Sequence, residues 1–242
     1  MEQSILKVTN LCKKYGNTIA LQQVSLSVPT GSIYALIGEN GAGKTTLLRI
    51  LAGLSRQTSG QVELADATTE TEIRKERRNI GFMIEAPALY PNLSVLENLY
   101  ISQLQYCGKK DTDYADQTLE LVGLYGQRQK KAKHLSLGMK QRLSLAAALL
   151  HNPKILILDE PANGLDPMGI IAFRQLLLKL NADNHISVIL SSHILNELEH
   201  IATDYGFLHN GRLIKEISSS DIFKSADSLE QYYEKVMKEQ QS

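Results

Sequence analysis

Short apolar runs alternate with segments of helical spacing over most of this chain, which predicts repeated strand–helix units. Residues 5–11 and 24–28 read as strands, the second with clean alternation, and Pro29-Thr30-Gly31 turns into a buried strand over 32–37. Residues 44–52 follow at helical spacing, with Leu47, Leu48 and Leu51 on one side and Gly53 as a stop. Further strands are expected over 60–64, 80–84, 155–158 and 186–190, with helices over 168–180 and from Leu195. The polar stretch 66–76 reads as a connector or short helix. Ser94-Val95-Leu96-Glu97 is a capping-box pattern opening a helix to about residue 104. Two more helices are expected over 113–122 and 138–150, stopped by Gly123 and by Asn152-Pro153. This helical block, 86–150, interrupts the alternation and is the candidate subdomain. Residues 205–209, an Asn210-Gly211 turn and 212–217 read as a hairpin. Ser228 opens a last helix with Leu229, Tyr232, Tyr233 and Val236 on one face, a stripe that is ordinarily core packing and less often a partner contact.

Composition narrows the class. A chain of 242 residues with 43% apolar content can form one large domain, or a core with a subdomain. Lys plus Arg equals Asp plus Glu at 26 each, so no net charge draws it to nucleic acid or anionic lipid. Cys12 and Cys107 are far apart in sequence and read as reduced thiols. No apolar run approaches the roughly 18 residues of a membrane span. Met1-Glu2-Gln3-Ser4 lacks a signal pattern, so work at a membrane is expected from the cytosolic side through a partner.

Chemistry concentrates at five places. Gly38-Glu39-Asn40-Gly41-Ala42-Gly43-Lys44-Thr45-Thr46 fits G-x-x-x-x-G-K-[ST], between a strand and a helix. Glycines let such a backbone wrap a polyphosphate, and the helix start points free N–H groups at it. Lys44 is then expected on the β- and γ-phosphates and Thr45 on Mg²⁺. The strand 155–158 ends in Asp159 and Glu160, where Asp159 could hold Mg²⁺ and Glu160 could act as general base towards water. His193 follows the strand 186–190 and is a candidate for contact with the γ-phosphate or the attacking water. Tyr15 could stack on a purine or simply occupy a turn. Ser136, Leu137, Gly138 and Met139 open a helix, which alone is an ordinary cap but here stands one helix and one strand before Asp159.

Taken together, these pieces resemble the ATP-binding cassette of ABC transporters over nearly the whole chain. Residues 38–46 match the Walker A, 155–160 the Walker B, 135–139 the signature, Asn163-Gly164-Leu165-Asp166 the D-loop with Asp166, and His193 the switch histidine. Tyr15 falls where the family places its adenine-stacking aromatic. The resemblance implies an α/β P-loop NTPase of the ABC ATPase type, with a parallel-sheet core, an N-terminal antiparallel β-subdomain and an inserted helical subdomain. It divides a single cassette over 1–242 into a catalytic core (1–85 and 151–217), the helical signature subdomain (86–150) and a C-terminal helical tail (218–242). It further implies ATP and Mg²⁺ as ligands and a second cassette, identical or not, arranged head to tail. Ser136 and Gly138 of one chain would then cover the nucleotide of the other, and transmembrane permease subunits would hold the pair at the inner face of the membrane. Two departures stand out. Leu137 and Met139 replace the usual second glycine and glutamine, and Glu85 replaces the Q-loop glutamine, where it could bind Mg²⁺ and take part in catalysis. Both resemble the bacitracin-resistance and lantibiotic-immunity branch, which implies export of a hydrophobic or antimicrobial peptide. Leu89, Tyr90 and Leu93 are candidate permease contacts or local packing. The competing expectations are a soluble ABC ATPase acting on DNA or ribosomes, and a regulator that binds ATP without hydrolysing it.

Overall fold

Apolar runs with no alternation need cover on both faces, which the interior of a parallel sheet supplies. Three such runs form β3 (Ile33–Ile37), β6 (Ile155–Asp159) and β7 (Ser187–Ser192), whose residues are buried almost throughout. With β5 (Ile80–Met83), β8 (Asp204–His209) and β9 (Arg212–Ser218) they make a six-stranded sheet in the order β5-β6-β7-β3-β8-β9. Only the β8–β9 pair is antiparallel. The computed structural model describes residues 3–85 and 89–239. The first residues of the expected helical block, 86–88, and both extreme termini lie outside them.

A second sheet is antiparallel, in the order β2-β1-β4, from β1 (Ser4–Tyr15), β2 (Thr18–Pro29) and β4 (Ser59–Leu64). The two expected N-terminal strands are each longer than their apolar centres. They close through Tyr15↔Thr18 into one hairpin, so Tyr15 ends a strand beside the turn. Beneath this sheet sits α1 (Lys44–Leu51), with Leu47, Leu48, Ile50 and Leu51 buried among Leu6, Leu21, Val28 and Val62. The polar connector carries a helix, α2 (Glu70–Glu76), with a Thr69/Glu72 capping box.

The helical block contains α3 (Val95–Cys107), α4 (Thr112–Leu121) and α5 (Leu137–Leu149). Ser94 and Glu97 exchange the two bonds of the capping box at 3.1 and 2.7 Å, which satisfies N–H groups left free by the helix. Val95, Leu99, Leu119, Leu143 and Leu145 join the helices into the main core. Next, α6 (Pro167–Asn184) runs a turn past its expected end, because its polar last turn hides no apolar residue and gives no periodic signal. After α7 (Leu195–Glu199), α8 (Ser219–Ser225) lies in the expected helical tail, ahead of the last helix that the sequence opens at Ser228. Ser218 caps it through Asp221 N–H, and Ile222 is its buried residue. The stripe of α9 (Leu229–Glu239) is core packing: Leu229, Tyr232 and Val236 are buried, and the Tyr232 and Tyr233 rings lie 5.9 and 5.8 Å from Phe207. Among the described residues, no helix is long and apolar enough to cross a membrane.

β3 lies between β7 and β8, and its fit against β8 is tight. Tyr34 is fully buried, its hydroxyl donating to Glu216 Oε1 at 2.9 Å, an oxygen that also accepts from Ser27 N–H at 3.0 Å. Burial holds the Glu216 carboxyl above its ordinary range. A Cβ on Gly206 would stand 2.3 Å from that tyrosine oxygen. Gly206→Ala should therefore cost about 1–3 kcal/mol of stability, read as a lower urea midpoint. Tyr34→Phe in the same chain should recover part of the loss, and an unchanged midpoint in Gly206→Ala would contradict this packing.

Candidate functional site

The carboxyl ends of β3, β6 and β7 open on one side of the sheet, where parallel α/β folds gather ligands. Strand register decides which residues meet there: Asp159 pairs with Ser191 and Ile37 with Ser192. From β3 the chain enters the loop 38–43 and then α1. Gly43 caps this helix at φ +108°, and a Cβ there would press on Ala20 O at 2.7 Å and Leu21 Cδ2 at 2.9 Å. Only glycine suits that position. No side chain caps the start of α1 and no acidic residue lies in its first turn, so its N–H groups are left for an anion.

Lys44 is only 6% exposed. Its ammonium donates to Gly38 O at 2.6 Å and Glu39 O at 3.2 Å, and lies 3.3 Å from Glu160 Oε1. Beside it the Thr45 hydroxyl donates to Asp159 Oδ2 at 2.7 Å, and Ser191 donates to the other carboxylate oxygen at 2.6 Å. Ser191 Oγ also accepts from Glu160 N–H at 2.9 Å. This buried serine ties the two acidic residues to β7. The sequence reading passed over it as a linker residue, although its place at the end of an apolar strand was the available signal.

Glu160 turns out of β6 with φ +47°, a left-handed conformation that is strained for a glutamate. The turn sends its carboxylate to Lys44 on one side and to His193 Nδ1 on the other, at 2.7 Å. Glu197 on α7 faces the same group. Burial raises its carboxyl above the ordinary range, His193 opposes the rise, and Glu160 adds to it. The arrangement thus gathers Lys44, Thr45, Asp159, Glu160 and His193, with Ser191 and Glu197 behind them.

The remaining candidates lie around this centre. Tyr15 is about half exposed, with the Lys13 ammonium 4.6 Å from its ring centre. A hydrogen bond with Ser55 is the main influence lowering its phenol, opposed by burial and aided by Lys13, Thr46 and Arg49, so the ring stands beside α1. Glu85 sits in a left-handed turn at φ +70°, and its carboxylate pairs with Arg49 on α1 instead of joining Thr45 and Asp159. Among the described residues, no group of three or more His, Cys, Asp and Glu could by itself hold a metal ion. Thr45 and Asp159 still present hard oxygen donors at hydrogen-bond distance, a pair suited to Mg²⁺ when phosphate and water complete the shell.

Ser136 caps α5 by accepting from Met139 N–H at 3.3 Å, and Leu137 is 46% exposed at the helix start. Asp166 caps α6 by accepting from Gly169 N–H at 3.0 Å. Among the described residues, no hydrogen bond or ion pair joins residues 136–139 to residues 38–46 of the same chain. Leu89 and Tyr90 line a groove of about 250 Å³ with Phe82, Glu85 and Tyr106, whereas Leu93 is half-buried and outside that lining.

Comparison with known proteins fits this geometry. Residues 21–163 match the model of the ABC transporter family. The chain is 43% identical to the bacitracin transport ATP-binding protein BcrA of Bacillus licheniformis, over 88% of this chain and 70% of that protein. It is 42% identical to the lantibiotic transport ATP-binding protein SrtF of Streptococcus pyogenes, over 88% and 90%. Its fold superposes with a TM-score of 0.77 and 30% identity on the ATP-binding cassette MJ0796, a dimer in a post-hydrolysis state with ADP and Pi, covering 88% and 98% of the two chains. The chain belongs to the ABC transporter family and is an ATP-binding subunit that hydrolyses ATP.

Proposed function

We propose that this chain is the motor of a peptide exporter, working as two cassettes that enclose Mg-ATP between them. The observation that carries the shared site is that the signature turn 136–139 is capped by Ser136, yet among the described residues no hydrogen bond or ion pair joins it to the P-loop of its own chain. Head-to-tail pairing would bring Ser136 and Gly138 of one copy over the triphosphate held by the other.

In this reading the adenine stacks on Tyr15, and the backbone of 38–46 wraps the phosphates. Lys44 donates to two carbonyls and would exchange them for the β- and γ-oxygens. Thr45 and Asp159 would hold Mg²⁺, which neutralises charge on those oxygens when bound. Glu160 takes a proton from water as the water oxygen attacks the γ-phosphorus and the bond to ADP breaks. His193, bonded to Glu160, orients that carboxylate and the γ-phosphate side of the site. For Glu85 to join the ion its carboxylate must leave Arg49, so metal binding there competes with an existing ion pair. Asp166 sets the start of α6 and so the shape of the D-loop.

Cytoplasmic permease segments would dock in the groove beside Glu85 and Tyr90, which holds the cassettes at the inner membrane face. The names of the bacitracin and lantibiotic relatives support a hydrophobic or antimicrobial peptide as cargo. Nothing favours the nucleic-acid reading: 26 basic residues are matched by 26 acidic ones.

Glu160→Gln keeps the shape and loses the base, so steady-state phosphate release should fall by at least about 10²-fold while ATP-bound dimers accumulate on gel filtration. Turnover near the wild-type rate would remove Glu160 from that role. Glu85→Gln should leave ATP binding largely intact and change the Mg²⁺ concentration needed for half-maximal turnover or the transport rate; a variant altering neither makes the acidic residue incidental. Cells carrying the chain with its membrane partners should tolerate more bacitracin or lantibiotic, and Lys44→Ala should abolish the difference. Equal protection by Lys44→Ala would contradict an ATP-driven exporter.

A further inference from the structure

The signature departure at Leu137 has a partner within its own chain. A Cβ placed on Gly164 would stand 2.8 Å from Leu137 Cδ2, so the leucine end lies against the bare Cα of the D-loop. Gly164 is at φ +76°, a conformation in which a side chain is strained as well as crowded. The contact is returned next door, where Leu165 Cδ2 lies 3.2 Å from the Cβ position of Gly138. A third tie is polar: Gln141, 6% exposed, donates through Nε2 to Asn163 O at 3.0 Å. Its Oε1 is buried and meets no donor among the described residues, so the amide is committed to that single carbonyl. The D-loop in turn hangs from the base, since Asn163 N–H donates to Glu160 O at 3.1 Å and Leu165 N–H to Ala162 O at 3.1 Å.

We infer that Leu137 is a positioning residue, helped by Gln141. It fastens the D-loop to the signature turn so that pressure on the turn reaches the backbone of Glu160 in the same chain. The significance for catalysis rests on the head-to-tail reading, in which the turn of one copy is pressed by the nucleotide of the other. Binding at one site would then be felt by the base of the second. Glycine at 137 has no side chain to reach Gly164, so this coupling is a property of the leucine.

The test has two readings. Hydrogen exchange on the nucleotide-free chain reports the fastening alone. Leu137→Gly should speed exchange of the amides of residues 163–165 at least about fivefold, with β6 unchanged as a control for folding. Gln141→Leu, which keeps the bulk and removes the donor, should speed the same amides. ATPase kinetics report its use: Leu137→Gly should lower kcat about fivefold with KM for ATP within about twofold, and Leu137→Met should recover at least half of the lost rate. Unchanged exchange overturns the inference. So does faster exchange with unchanged kcat, or a raised KM at constant kcat, which would make Leu137 a direct nucleotide contact. If the wild-type chain turned over as a lone monomer, the shared-site reading would fail, and the exchange data would still decide whether Leu137 holds the D-loop.

Discussion

A lysine ammonium held almost out of water is the interaction on which the site is built. Lys44 has two carbonyl oxygens and part of one carboxylate around it, and the side chain is buried. Such a charge is expensive to bury unless acceptors surround it, and a polyphosphate supplies them in greater strength. The carbonyls of Gly38 and Glu39 and the carboxylate of Glu160 converge on this one cation. Packing under the N-terminal sheet keeps the helix, and so the lysine, from moving away.

Strand register does the rest. Because Asp159 lies opposite Ser191, one serine hydroxyl can bond an Asp159 oxygen and the Glu160 N–H together. Thr45 occupies the other Asp159 oxygen. A slip of one residue in either parallel pair would turn these groups into the core. The left-handed turn at Glu160 then lifts its carboxylate out of the strand and towards Lys44 and His193. Strain at that residue is balanced by contacts to α1, β7 and the loop that carries His193, which is how a fold keeps a reactive group in an otherwise unfavourable place.

What could be read from the sequence follows from which interactions are local. The P-loop was legible because strand, glycine spacing and helix follow one another without a break from Ile33 to Leu51, and the paired carboxylates because they end an apolar run. Element types were read well where burial imposes a period, as in α1 or α9. Where it does not, the reading fell short: the polar last turn of α6 hides no apolar residue. Partnerships across the fold were invisible. Nothing near Glu85 announces Arg49, nothing in Ser191 announces Asp159, and Leu137 gave only the fact of departing from a pattern. Those facts depend on register and on helix placement, and a single sequence does not carry them on its surface.

The central claim is that each catalytic centre is assembled from two copies, the P-loop of one and the signature turn of the other. Mixing chains disabled in different halves tests it most directly. Lys44→Ala and Gly138→Asp would be purified separately, combined at equal concentration with Mg-ATP, and followed by phosphate release. The shared-site account predicts little turnover from either chain alone and recovered turnover in the mixture, since mixed dimers contain one intact centre. A mixture as inactive as its components, or a Gly138→Asp chain hydrolysing ATP like the wild type, would contradict it.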